Sequence, residues 1–194
     1  MDKEQESENK SNNQIAENLK DNDLKNSEDP KEKEMGEALE NLGQAIEDLN
    51  KADTEEGKEA AADKVQDALD KLENIINGKD PETSEEKDNL TDEKKQENAD
   101  KVANEIYNSI ATVPNSTMKD TFKDLADNLD NATQNSEDKN SDDDPNNNTT
   151  VEEEINNSFE DVSSGIKDSI EKTDTKEEIS DSMTDMREDL VGSD

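Results

Sequence analysis

Apolar residues recur in this chain as narrow stripes, and this pattern limits the folds that it can adopt. The clearest stripe advances in steps of four, three, four and three residues: Met35, Leu39, Leu42, Ile46 and Leu49. Such spacing places all its members on one face of an α-helix. A stripe with about two apolar positions in seven is typical of a coiled-coil seam and is narrower than the core face of a globular helix. The sequence therefore predicts helices that need a neighbour to cover a thin apolar face.

Start and stop signals divide the chain into six helices of this kind. Asp29 is the expected N-cap of the first, followed by Pro30 at the first helical position. Capping boxes are predicted at Asp53 and at Thr150, each with a Glu three residues later. The other expected boundaries are Gly78, Thr91, Ser116 or Thr117, and Asp174.

The predicted fold class is mainly α with extensive disorder: three amphipathic helical hairpins with coiled-coil-like stripes and no large core. Similar apolar steps in the three hairpins suggest a repeat of about 60 residues. The predicted segments are a disordered acidic arm at 1–28, hairpins at 29–79, 91–133 and 150–191, a linker at 80–90, an Asn/Asp-rich disordered linker at 134–149, and a tail at 192–194.

The composition makes it difficult for a single hairpin to be stable. The chain has 57 Asp and Glu against 22 Lys and Arg, a net charge of −35, and its hydrophobic residues amount to 25%. Such a chain lies near the composition of disordered proteins, because the apolar surface barely offsets chain entropy. The stripes can pack together in one loose bundle, pair with a second copy, or dock on a partner. Repulsion between negative charges opposes the first two alternatives.

The stripe side chains are therefore the candidate interaction surface. A protein partner, or a second copy of the chain, would cover them. The candidate residues are Leu39, Leu42, Ile46, Leu49, Val65, Leu69, Leu72, Val102, Ile106, Ile110, Phe122, Leu125, Leu129, Ile155, Phe159, Val162, Ile166, Met183, Met186 and Leu190.

Catalytic, cofactor and metal sites are not predicted. The chain has no His and no Cys, so the commonest general base and the commonest transition-metal ligands are missing. Asp138, Asn140 and Asp142 match the first three ligand positions of an EF-hand loop. However, Asp143 stands where that loop needs Gly, and Thr149 where it needs Glu. We expect a solvated linker there, no cofactor and no enzymatic activity.

The charge also restricts the classes of partner. A strongly negative protein repels nucleic-acid phosphates and anionic membranes, so neither is an expected partner. A partner recognised by charge must be a basic protein. The N-terminal residues lack the apolar segment of a secretory signal, and no apolar run is long enough to span a membrane. These features favour a cytoplasmic location.

In composition and helicity the whole chain resembles viral capsid scaffolding and prohead-core proteins, although no motif carries the resemblance. Many proteins of that type dock through a basic C-terminal helix, whereas residues 176–190 contain more acidic than basic residues. The resemblance implies a non-enzymatic assembly or scaffolding factor. Two alternatives stay open: an acidic chaperone or nucleic-acid mimic that binds a basic protein, and a helical repeat module of a bacterial surface protein.

Overall fold

The computed structural model describes residues 3–134 and 150–171, and this part of the chain is mainly helical, without strands. A turn at 160–161 separates the last named helix from a further helical stretch at 162–171. The helices are α1 (Lys3–Lys20), α2 (Pro30–Asn50), α3 (Glu55–Ile76), α4 (Asp92–Ile110), α5 (Thr117–Gln134) and α6 (Val151–Phe159).

Side-chain caps begin most helices where the sequence predicts them. Asp29 caps α2, because its side chain accepts hydrogen bonds from two backbone N–H groups of the first turn. Thr91 caps α4, and the capping box at Thr150 is present before α6. The capping box predicted at Asp53 is wrong. Thr54 caps α3 instead, since its hydroxyl accepts a hydrogen bond from the first turn of that helix.

The helices pack into one bundle around one core. α2 packs against α3, α4 against α5, and α1 against α2, while α6 contacts α3, α4 and α5. Contacts therefore cross the boundaries of the predicted hairpins, and the buried apolar residues form a single cluster. The prediction of no large core is wrong because alanines widen the apolar faces. On α3, for example, Ala61 and Ala68 are buried beside Val65 and Leu72.

The disordered arm predicted at 1–28 is wrong for residues 3–20, which form α1. Ile15, Ala16 and Leu19 on this helix are at most 1% exposed. In the sequence they look isolated, and so few apolar residues cannot stabilise a helix alone in water. Packing of α1 against α2, α4 and α5 supplies the missing stabilisation.

Two glycines let α1 and the turn after it approach the backbone of α2. A Cβ atom at Gly36 would lie 2.1 Å from the backbone nitrogen of Lys25. A Cβ atom at Gly43 would lie 2.5 Å from the carbonyl oxygen of Ala16. The two glycines are one heptad apart and share a face of α2. This close approach therefore depends on the absence of side chains at both positions.

The linker predicted at 80–90 is an ordered loop. α3 ends at Ile76, just before the predicted stop at Gly78, which has a left-handed conformation with φ of +78°. An isolated antiparallel bridge then joins Lys79 to Glu86. The Asp80 side chain closes the turn between them by accepting hydrogen bonds from two backbone N–H groups, each at 3.0 Å. The loop thus has a defined conformation between α3 and α4.

Several predictions concern residues outside the described ranges. They include the Asn/Asp-rich linker beyond residue 134, with the candidate calcium residues Asp138, Asn140 and Asp142, and the helix predicted after Asp174. Only 150–171 of the third predicted hairpin is described, and there the turn at 160–161 interrupts a stripe that the sequence reads as one helix. The 60-residue repeat stays a prediction.

Candidate protein-interaction surface

The candidate stripe residues lie inside the bundle. Each of those that the structure describes is at most 4% exposed, and Met183, Met186 and Leu190 lie outside the described ranges. The buried members are Leu39, Leu42, Ile46, Leu49, Val65, Leu69, Leu72, Val102, Ile106, Ile110, Phe122, Leu125, Leu129, Ile155, Phe159, Val162 and Ile166.

The apolar stripes therefore cover one another. Of the three alternatives for burying them, the structure shows packing within one bundle. In this conformation they offer no surface to a partner. Substitutions such as Leu42→Asp or Phe122→Asp would place a charge in the core and disrupt the fold, so they do not test association.

The surface itself is acidic, and α3 carries a regular row of exposed carboxylates. We call this row the α3 acidic stripe; its members, all exposed, are Glu56, Glu59, Asp63, Asp67 and Asp70. Steps of three and four residues place them on one helix face, opposite the buried face that contains Val65 and Leu72. The row covers fourteen residue steps, or about 21 Å along the axis.

Lysines beside this stripe are engaged with other carboxylates. Lys64 pairs with Asp48 of α2 at 3.1 Å, and Lys71 pairs with Glu82 of the loop at 2.8 Å. Within the described residues, no ion pair includes a member of the α3 acidic stripe. Its charge is therefore presented to solvent. Apolar periodicity alone misses this surface, whereas the same spacing test applied to carboxylates finds it.

Other lysines join one element of the bundle to another. Glu152 of α6 lies 2.7 Å from Lys79 of the loop and 2.7 Å from Lys95 of α4. Hydrogen bonds from both ammonium groups lower the pKa of Glu152. Lys101 of α4 likewise pairs with Glu32 of α2 at 2.8 Å. The lysines in these links are not available to neutralise the other carboxylates. The exposed surface therefore keeps the excess of negative charge.

The described residues contain no group of three or more side chains suited to holding a metal ion. Among the helices of residues 3–134 and 150–171, none is long and apolar enough to cross a membrane. Comparisons of the chain with protein-family models, with curated proteins and with solved structures found no match.

We predict that the fold is most stable in mildly acidic solution, at about pH 5, and less stable both at neutral pH and below about pH 4. Hydrogen bonds from lysines lower the pKa of Glu47 and of Glu97 to about 2. The stability that these two ionised carboxylates give to the fold is fully present above their unfolded-state pKa. It is lost as the pH falls towards 2. Burial raises the pKa of Glu73 and of Glu105, so these two groups stabilise the fold as the pH falls from neutrality.

Thermal unfolding followed by circular dichroism between pH 2 and pH 8 measures this profile. The same series in high salt is the control, because screening weakens the repulsion that adds to the loss at neutral pH. A melting temperature that rises steadily up to pH 8 would contradict the prediction.

Proposed function

We propose that the protein is a non-enzymatic, acidic, helical protein-interaction protein that binds a basic protein through its carboxylate surface. The observation that carries this proposal is the α3 acidic stripe, a row of exposed carboxylates on one helix face. The lysines that flank it are paired elsewhere. The net charge of −35 over the whole chain also favours a basic partner.

Charge complementarity accounts for the choice of partner. A surface of one sign attracts a partner of the opposite sign, increases the rate of encounter and repels molecules of its own sign. Nucleic acids and anionic membranes are therefore disfavoured, whereas a surface rich in Lys and Arg is attracted. Because exposed charges are screened beyond about 10 Å at 0.1 M salt, such binding weakens as salt is added.

The helix gives this charge a fixed arrangement. Carboxylates three or four residues apart on a helix are neighbours, with Cβ atoms about 5–6 Å apart. The α3 backbone holds them in a row before any partner arrives, so no backbone ordering of this segment is needed on binding. A basic helix or strand of comparable length, about 21 Å, is the kind of segment that this row fits.

Two variants with the same net charge test the role of the stripe. Glu59→Gln, Asp63→Asn and Asp67→Asn together neutralise its centre. Glu40→Gln, Asp120→Asn and Asp124→Asn neutralise exposed carboxylates on α2 and α5 instead. Each variant is used to capture proteins from native lysate, which are eluted in steps of salt.

The wild-type protein and the α2/α5 variant should capture the same basic proteins and release them at about 0.3 M salt, where charges more than a few ångströms apart are screened. The stripe variant should capture several-fold less. Equal capture by the two variants would remove the stripe from the binding surface. Retention through about 1 M salt would mean that contacts other than charge hold the partner.

An assembly or scaffolding role is the second candidate function. The buried stripes do not favour it in this conformation, but the way in which α1 is attached does. α1 is a separate helix at the end of the described chain, and it binds elements that lie far from it in sequence. Such a helix is able to join one copy of the protein to another.

A further inference from the structure

α1 is held in the bundle by few apolar side chains and many polar contacts. Its buried apolar residues are Ile15, Ala16 and Leu19, whereas α2 and α3 each bury seven apolar side chains. Regions with little buried apolar surface open more readily than the core. α1 is therefore the helix that can leave the bundle with the smallest loss of apolar packing.

The polar contacts of α1 are specific. The Ser11 hydroxyl lies 2.5 Å from that of Ser116, at the start of α5. The Asn18 amide donates a hydrogen bond to the backbone oxygen of Ser109, on α4, at 2.7 Å. Ser11 is fully buried and Ser116 is 5% exposed. A helix that takes the place of α1 must satisfy these same groups, because buried polar atoms without partners are costly.

The seat of α1 also restricts the shape of its occupant. We define the seat by Gly43 on α2, Ser109 on α4, and Ser116 before α5. At Gly43 the neighbouring helix comes so close that a Cβ atom would touch the backbone oxygen of Ala16. A helix with a large side chain at the position of Ala16 does not fit this seat. The seat therefore fits the sequence of α1 better than that of an arbitrary amphipathic helix.

A short hinge connects α1 to α2. Residues 21–29 contain a 3-10 turn at Leu24–Asn26 and an extended residue at Ser27. Asn22 closes this hinge: its amide donates to the backbone oxygen of Gly36 at 2.9 Å, and its side-chain oxygen accepts from the backbone of Lys25 at 3.1 Å. Nine extended residues reach about 30 Å, enough for α1 to leave one bundle and enter another.

We propose that α1 is an exchangeable helix, which leaves its own seat and occupies the same seat in a second copy of this chain. Both copies exchange their α1 helices in a symmetric dimer, and each α1 regains the contacts that it makes in the monomer. The hinge is the only described segment that changes conformation. The proposal does not depend on a basic partner, so the two proposals succeed or fail separately.

The salt dependence of the exchange should distinguish it from charge-driven binding. Two copies that each carry a charge of −35 repel one another. Added salt screens this repulsion and should favour the dimer, whereas salt should release a basic partner.

Single cysteines in this cysteine-free chain provide the test. One batch carries Ser11→Cys and the other carries Ser116→Cys. The two are unfolded in urea, refolded together at high protein concentration, and oxidised. A disulfide between positions 11 and 116 of different chains forms where α1 of one copy lies in the seat of the other, because hydroxyls 2.5 Å apart show that the two side chains meet and that sulfur atoms at these positions can reach one another. A batch with Ser84→Cys, at an exposed loop position, replaces the Ser116→Cys batch as the collision control.

We expect several-fold more linked dimer from the 11/116 mixture than from the 11/84 mixture, and a further increase with protein concentration and with salt. Asn22→Ala, which opens the hinge without altering the seat, should increase the yield again. A chain with both Ser11→Cys and Ser116→Cys, oxidised at low concentration, should give a monomer with an internal disulfide. This monomer shows that the chain folds and that the two positions meet.

Two results would overturn the proposal. In the first, the 11/116 mixture gives no more linked dimer than the 11/84 mixture, while the double variant forms its internal disulfide. In the second, the double variant forms no internal disulfide, which would mean that α1 does not occupy its seat at all. A dimer detected by sedimentation that lacks the 11–116 link would also overturn the proposal, because the two copies would then associate through another surface.

Discussion

Replacing Phe122 by Ala should lower the free energy of unfolding by about 3–5 kcal/mol. Phe122 lies on α5, is fully buried, and is among the largest side chains in the core. Its removal exchanges a well-packed ring for a cavity and withdraws one of the few aromatic groups, which amount to 2% of the chain. Urea unfolding followed by circular dichroism at 222 nm measures the change, since the chain has no Trp.

Leu90→Ala is the matched control for this substitution. Leu90 lies in the loop before α4 and is only partly buried, so its truncation should cost less than half as much. The dependence of the unfolding free energy on urea concentration should be unchanged in both variants. A loss of under about 1 kcal/mol for Phe122→Ala would mean that its surroundings are not a packed core.

Replacing Gly36 by Ala should destabilise the fold by about 1–3 kcal/mol, although Ala is the better helix former. In an exposed helix interior this substitution would stabilise by about 0.5–1 kcal/mol. Here the new Cβ would lie 2.1 Å from the nitrogen of Lys25 and 2.5 Å from the carbonyl carbon of Leu24. Both are backbone atoms, so no side-chain rotation relieves the clash, and the turn that follows α1 must move.

Gly57→Ala is the control, because Gly57 lies in the first turn of α3. There the nearest atom to a Cβ is the Thr54 hydroxyl at 3.0 Å, which can adjust. We expect little change in stability from this control. Hydrogen exchange should show faster exchange of α1 amides in Gly36→Ala and unchanged exchange in Gly57→Ala. Equal stability of the two variants would exclude the close approach of the 21–26 turn to α2.

Local signals made the helices of the middle of the chain predictable. Asp29 and Pro30 start α2, Gly78 ends α3 and Thr91 starts α4, because caps and left-handed stops act through neighbouring residues. The apolar periodicity also identified the residues that are buried. It did not identify what buries them, since a stripe has the same spacing whether it faces the same chain, a second copy or a partner.

The acidic surface was predictable in sign but not in arrangement. Net charge follows from composition, whereas the pairing of Lys64 with Asp48 and of Lys71 with Glu82 depends on which elements lie side by side. These pairs occupy the lysines that flank the α3 acidic stripe.

The sequence by itself determined that this chain is acidic and helical, and where most of its middle helices begin and end. Only the tertiary structure decided that the stripes meet in one core and that α1 is part of it. Ile15 and Leu19 are too few to hold a helix alone, so their role appears only in the packed bundle, where Gly43 lets the α2 backbone approach α1 at Ala16. The physical reason is that caps and periodicity act within a few residues, whereas burial depends on contacts between residues far apart in the chain.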